Sequence, residues 1–236
     1  MPSRKSAPIR AVRTLAKIDL FAALGEAQRN AIEARCQWRE YPVGASVIDR
    51  EAPGTEVYFV VAGAVRVLIH SESGRAVAFD DMGPGACVGE IAAIDGRPRT
   101  ASVEALEPTL CAILPHRIFL DVIATSPAAA MALLKRMAAM VRASTERILD
   151  LSTLGAHNRV YAEILRLAKP GPDGRPAIRP IPVHSDLAAR VSTTRETVAR
   201  VFSELARANV VVKERDAMVV AAPARLKAMV REFKTA

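Results

Sequence analysis

Two side chains of opposite charge stand close together in the stretch GEIAAIDGRPRTAS, Gly89 to Ser102: a carboxylate at Glu90 and, nine positions on, a guanidinium at Arg99. A guanidinium donates paired hydrogen bonds to a phosphate or carboxylate, and a carboxylate accepts from a hydroxyl or an amine. Gly89, just before the acid, lets the backbone approach a ligand closely. The pair can serve one ligand that offers both an anion and a hydroxyl. It can equally well pair with itself and close a loop.

A second set of charges lies in HSDLAARVSTTRETVARVFSELARANVV, His184 to Val211. This stretch reads as two helices around a tight turn. Ser185 is placed to cap the first, which runs through Val191 with Leu187 and Val191 on one side. Thr193 and Glu196 have the S/T-x-x-E spacing of a capping box, so the second helix is expected to start near Arg195. Val198, Val201, Phe202 and Leu205 share one face of it, with Glu196, Ala199, Arg200 and Ser203 opposite and Arg195 projecting from the first turn. A helix of this kind suits the DNA major groove, where arginine donates to guanine O6 and N7 and glutamate accepts from cytosine N4. Phosphate contacts alone would not call for that glutamate, which the DNA backbone repels. An ordinary helical hairpin with solvated charges is the alternative. The following VVVKERDAMVVAAP reads as a β-hairpin wing and favours DNA.

The elements that must position these residues follow from pattern. From Tyr41 to Leu114, short β-branched runs are cut by glycines at 44, 54, 63, 74, 83 and 85, and Val65, Val67 and Ile69 alternate. That predicts a compact antiparallel roll or barrel. Helical text precedes it, with Leu20, Leu24, Ile32 and Cys36 apolar and Gly25 dividing two short helices. After the roll, Ser126 and Pro127 form a helix start, serine as N-cap and proline at the first position. From there Leu134, Met137, Val141, Ser144, Ile148 and Leu151 repeat as a heptad seam. A single helix could pack such a seam onto its own β domain, but this one runs for roughly 40 Å, overruns a small roll and is expected to form a two-fold coiled coil. Ser144 and Thr145 are its polar interruption. Gly155 ends it, a further helix begins at Arg159, and the Pro/Gly-rich KPGPDGRPAIRPIP is a connector.

The chain has 236 residues, half of them hydrophobic, and a formal charge of +8. The final third, from Gly155, holds 15 Lys and Arg against 8 Asp and Glu, and residues 1–17 hold 5 basic residues and no acid. A basic module on a mildly acidic middle points to a polyanion partner. No apolar run is long enough for a membrane span, and the basic start lacks a signal peptide's apolar segment. The expectation is a soluble, cytoplasmic protein with no membrane partner. The three cysteines, Cys36, Cys87 and Cys111, have no metal or redox spacing and read as buried small hydrophobes.

GEIAAIDGRPRTAS resembles the phosphate-binding cassette of cyclic-nucleotide-binding domains, in which Gly-Glu opens a short helix and Arg follows about ten residues later. RETVAR resembles the recognition helix of the CRP/FNR family of bacterial transcription regulators, and the likeness extends from Ile18 to Pro223. It implies an α+β chain: a basic tail over 1–17, a cyclic-nucleotide-binding β-roll over 18–125, a central dimerisation helix over 126–154 and a winged helix-turn-helix over 155–236. In such a cassette Arg99 pairs with the ring phosphate and Glu90 accepts from the ribose 2′-hydroxyl, while Gly89, Ile91 and Ala92 line the turn and its short helix. The Thr100 hydroxyl can bond the phosphate and, in cGMP-preferring relatives, the guanine amino group. Ser144 and Thr145 match the polar pair that meets the purine at the dimer interface. The resemblance therefore implies cAMP as effector, with cGMP as the alternative, and neither metal nor haem. It also implies a homodimer on palindromic double-stranded DNA with half-sites close to TGTGA, contacted by His184, Thr194, Arg195, Glu196 and Arg200. RNA polymerase is the further partner such a regulator would have.

This sequence also departs from the family pattern. Ala139 and Met140 stand where a well-known cAMP-responsive member has arginines, so a basic contact from the helix to the cassette is expected to be missing. His184 replaces a common phosphate-contacting arginine, and Ser192 a common glycine. An iron-sulfur sensor would need clustered cysteines before Cys36, and a haem sensor an axial ligand where Gly89 and Ile91 stand, although Cys87 lies just upstream. A dimer that binds DNA without any ligand would have no use for Glu90 and Arg99. The histidines, His70, His116, His157 and His184, have no metal-ligand spacing, and no nucleophile motif suggests an enzyme.

Overall fold

A strand with one apolar face must bury it against another layer, and the short runs between residues 37 and 114 do so by pairing into two antiparallel sheets. The computed structural model describes residues 13–70, 76–171 and 173–231. These divide into two compact units, the division falling within a long helix after Met140.

The first unit opens with a 3-10 turn, Asp19–Phe21, and helix α1, Glu26–Glu33, which Gly25 precedes as expected. Strands β1 (Gln37–Tyr41), β8 (Thr109–Leu114), β3 (Val57–Ala62) and β6 (Cys87–Val88) form one sheet in that order. Strands β2 (Ser46–Ile48), β7 (Ser102–Ala105), β4 (Val65–His70) and β5 (Ala76–Met82) form the other. This is the roll expected from the glycine-punctuated runs. β1, however, begins before Tyr41, because Arg39 and Glu40 are exposed and only Tyr41 is buried, so no apolar pattern marks it. Val47, Val60, Val65, Val88, Val103 and Cys111 form one core, and Phe21, Phe59 and Phe119 anchor another beneath helix α3, His116–Thr125. β8 is buried along its whole length.

Cys87 and Cys111 are buried and Cys36 is partly so. Burial pushes the Cys111 thiol up to about 12; burial and the nearby Glu33 do the same to Cys36. Cys87 is raised too, by burial and then Glu90. Thiolate character, which metal binding and redox chemistry need, is thereby suppressed.

Helix α4, Pro127–Thr153, starts as its sequence requires, with the Ser126 Oγ accepting from the Ala129 amide at 3.3 Å. Of the heptad seam, Met137 packs partly on the phenylalanine core, whereas Leu134, Val141 and Ile148 are 60%, 65% and 65% exposed in the single chain.

In the second unit α5 spans Ala156–Leu167, three residues ahead of the expected start at Arg159, because Gly155 serves as its N-cap at φ −64°, ψ 162°. The expected connector contains two strands, β9 (Lys169–Pro170) and β10 (Pro176–Ile178), which join the wing hairpin β11 (Val211–Glu214) and β12 (Ala217–Val220) in a sheet ordered β11-β12-β10-β9. Prolines hide those strands from the pattern. Helices α6 (His184–Arg190) and α7 (Arg195–Arg207) form the expected helical pair. Helix α8, Pro223–Arg231, has no counterpart among the expected elements; it buries Leu226 in the core with Val160, Ile164, Leu187 and Leu205.

Phe59→Ala removes a fully buried ring from the phenylalanine core and should cost about 3–5 kcal/mol. Urea denaturation followed by far-ultraviolet circular dichroism checks it.

Candidate ligand cassette and nucleic-acid interface

β6 delivers the chain into Gly89, whose left-handed φ of 87° turns it directly into α2, Glu90–Asp95. A Cβ on Gly89 would lie 2.5 Å from Arg99 Nη1 and 3.0 Å from the Glu56 carbonyl oxygen, so only glycine fits this turn. Glu90 and Arg99 are both buried, 3% and 6% exposed, and they do not pair with each other. Arg99 Nη1 donates to the Gly89 carbonyl at 3.0 Å, and Nη2 donates to the Glu56 carbonyl at 2.9 Å and to its carboxylate at 3.4 Å. The guanidinium also lies 5.8 Å from the Tyr58 ring centroid. Loop closure by a Glu90–Arg99 ion pair is thus excluded, and Arg99 itself ties the Gly89 turn to Glu56.

Glu90 is held from α4. Arg136 Nε donates to Glu90 Oε1 at 3.2 Å, and its Nη2 donates to the Cys87 carbonyl at 2.6 Å. The expectation of no basic contact from the helix, drawn from Ala139 and Met140, is corrected. Arg136 stands four residues before Met140, one turn earlier on the same helical face, and its length covers the difference. That spacing is a readable signal. Glu56, by contrast, reaches Arg99 through β3 from 43 residues away, and nothing local announces it.

Ile91 and Ala92 occupy the first turn of α2, Ala92 buried, and Thr100 is exposed beside Arg99. The structure therefore brings Gly89, Glu90 and Arg99 together at one backbone turn. Ser144 and Thr145 are exposed on α4, with the Thr145 hydroxyl donating to the Val141 carbonyl at 3.0 Å.

In the second unit the turn between α6 and α7 passes through Ser192 at φ 52°, the left-handed position for which the family pattern has glycine. Neither expected cap stands where predicted. α6 begins at His184 after Val183, and Ser185 lies inside it. The N-cap of α7 is Thr194 rather than Thr193: its hydroxyl accepts from the Thr197 amide at 3.2 Å. Val198, Val201 and Leu205 are buried, while Thr194, Arg195, Glu196 and Arg200 are exposed. Glu196's own amide and the Thr194 hydroxyl hold its carboxyl below the ordinary value, so it stays ionised and acceptor-only. His184 is partly buried and stacks on Phe202, with centroids 5.2 Å apart and rings 5° from parallel.

A ligand cassette in a β-roll, followed by a helix-turn-helix with a hairpin wing, defines the class of ligand-binding transcription regulators. Residues 38–126 match the family model of the cyclic nucleotide-binding domain, and residues 158–229 match that of the Crp-like helix-turn-helix domain. The cyclic AMP receptor protein of Thermus thermophilus is 32% identical over 192 residues, covering 81% of this chain and 87% of that one. A solved CRP/FNR-family transcriptional regulator from the same organism is 25% identical with a TM-score of 0.65, over 84% of this chain and all of that one. A CooA mutant from Carboxydothermus hydrogenoformans, only 15% identical, shares the fold at a TM-score of 0.77 over 94% of this chain and 98% of its own. The chain belongs to the CRP/FNR family and is a cyclic-nucleotide-binding, DNA-binding transcription regulator, not an enzyme.

Gly89→Ala should destabilise the first unit by about 1–2 kcal/mol through the left-handed backbone alone, and more as Arg99 is displaced. Urea midpoints for this variant and for Gly96→Ala, which is left-handed but has open space at its Cβ, separate the two contributions. Thr194→Ala should cost about 1 kcal/mol through the lost cap, visible as a lower midpoint of the second unit.

Proposed function

We propose that this protein is a cytoplasmic, homodimeric regulator that binds cAMP in the β-roll and, when loaded, reads a palindromic DNA site with half-sites close to TGTGA. The observation that carries this reading is the meeting of buried Glu90 and buried Arg99 at the Gly89 turn. In it Arg99 takes the ring phosphate and Glu90 the ribose 2′-hydroxyl, with Arg136 keeping the carboxylate oriented. Gly89 permits the close approach, while Ile91 and Ala92 form the floor. Ser144 and Thr145, exposed on α4, meet the purine, and a serine or threonine pair there favours adenine.

The exposed seam of Leu134, Val141 and Ile148 supports dimerisation through α4, since single chains rarely leave such a row uncovered. On DNA, Arg195, Glu196 and Arg200 read base edges, and His184 and Thr194 contact the backbone. RNA polymerase would be met on the assembled complex. Thr100, exposed next to Arg99, supports a second reading in which cGMP is the effector.

Calorimetry with cAMP and cGMP decides between them. Tighter cAMP binding is expected, with Thr100→Ala losing only about 0.5–1.5 kcal/mol; a cGMP preference that collapses in Thr100→Ala sinks the cAMP reading. Arg99→Ala should abolish nucleotide binding, and because Arg99 also ties Gly89 to Glu56, Arg99→Lys serves as the folded control with strongly weakened binding. Arg200→Ala should cost about 1–3 kcal/mol of DNA affinity and relax one base pair of the site without changing nucleotide affinity. Site selection on random duplexes reads the preference out.

A further inference from the structure

The turn of the helix-turn-helix presents three consecutive carbonyls, those of Arg190, Val191 and Ser192, and each accepts from an arginine of an earlier helix. Arg147, on α4, donates from Nη2 to the Arg190 carbonyl at 2.6 Å. Arg159, on α5, donates from Nε to Val191 at 2.8 Å and from Nη2 to Ser192 at 3.1 Å, while its Nη1 reaches back to Leu154 at 2.9 Å.

Beneath these contacts lies a buried charge pair. The Glu163 side chain, 1% exposed, faces Arg190 at 3.6 Å and also pairs with Arg166. Taking such ions out of water costs several kcal/mol and is often matched or bettered by apolar packing. What the pair adds is fixed geometry: Arg190 is pinned to α5 by its side chain and to α4 by its carbonyl. Burial and the like charges of Arg166 and Arg190 pull the Arg147 pKa down from its ordinary value. The same helix, eleven positions earlier, holds cassette Glu90 through Arg136.

We infer that Arg147 is a positioning residue for DNA reading: its grip on the Arg190 carbonyl makes the turn before α7 follow α4, so a nucleotide-dependent change in α4 reaches Arg195, Glu196 and Arg200. This rests on the reading of the chain as a cyclic-nucleotide-responsive regulator. Arg147 touches neither nucleotide nor base in this role.

The test uses the full-length protein with Arg147→Met, which keeps the aliphatic stem, and Arg147→Lys, which keeps a donor. Hydrogen exchange without nucleotide should speed up in Arg147→Met across residues 190–198 and stay unchanged in β3. Fluorescence anisotropy on a TGTGA palindrome should show the gain in DNA affinity caused by cAMP falling about tenfold in Arg147→Met, the scale of one lost charge-assisted hydrogen bond. Arg147→Lys should recover much of that gain, and cAMP affinity without DNA should match wild type in both variants. Wild-type exchange at residues 190–198 in Arg147→Met, or a full cAMP gain, overturns the inference. A wild-type protein whose DNA affinity ignores cAMP overturns instead the proposed effector response, and exchange at residues 190–198 alone then decides for or against the grip of Arg147.

Discussion

A guanidinium has five N–H donors and holds its proton under all ordinary conditions, so any fold that buries one must surround it with oxygens. Arg99 obtains them from the Gly89 and Glu56 carbonyls, Arg136 from Glu90 and Cys87, and Arg159 from Leu154, Val191 and Ser192. Most of these acceptors are backbone carbonyls, whose places are set by strand register and by helix ends. The register that sets Tyr58 opposite Val88 brings the Glu56 carbonyl and the Gly89 turn within reach of one side chain. The left-handed turn at Ser192 likewise leaves carbonyls at the end of α6 free of helical partners, and Arg159 fills that need. Arginine satisfaction thus links the β-roll's register to its cassette, and the recognition helix to the helices before it.

Charge is treated differently on the two working surfaces. In the cassette, Glu90 and Arg99 are withdrawn from water and held by partners, which preorganises them and strengthens any hydrogen bond they offer. On α7, Arg195, Glu196 and Arg200 stay solvated above a dry face of Val198, Val201 and Leu205. There the helix fixes the backbone by its buried face while the long side chains stay in solvent.

What can be read from sequence is whatever local pattern dictates. The roll's glycines, the Ser126-Pro127 helix start, the apolar face of α7 and the wing all follow from residues near one another in the chain, and the roll, helix start and wing stand where expected. Misreadings arise where local signals tie: Thr193 and Thr194 are equally good caps, and only the backbone turn at Ser192 chooses between them. Strands β9 and β10 escape the pattern because Pro170 and Pro176 look like linker chemistry, although edge and terminal strand positions tolerate proline. Glu56 and the Glu163–Arg190 pair are invisible for a deeper reason, since each joins residues more than twenty positions apart.

Gly155 occupies backbone space that any residue can adopt, and nothing stands where its Cβ would be. The geometry seen between α4 and α5 therefore gains nothing from the absence of a side chain. What glycine changes is the number of other backbone conformations within reach, and hence the entropy of the junction. The stiffness of that junction is a variable separate from both the cassette and the recognition helix, adjustable at a single solvent-facing carbon without disturbing a contact in either.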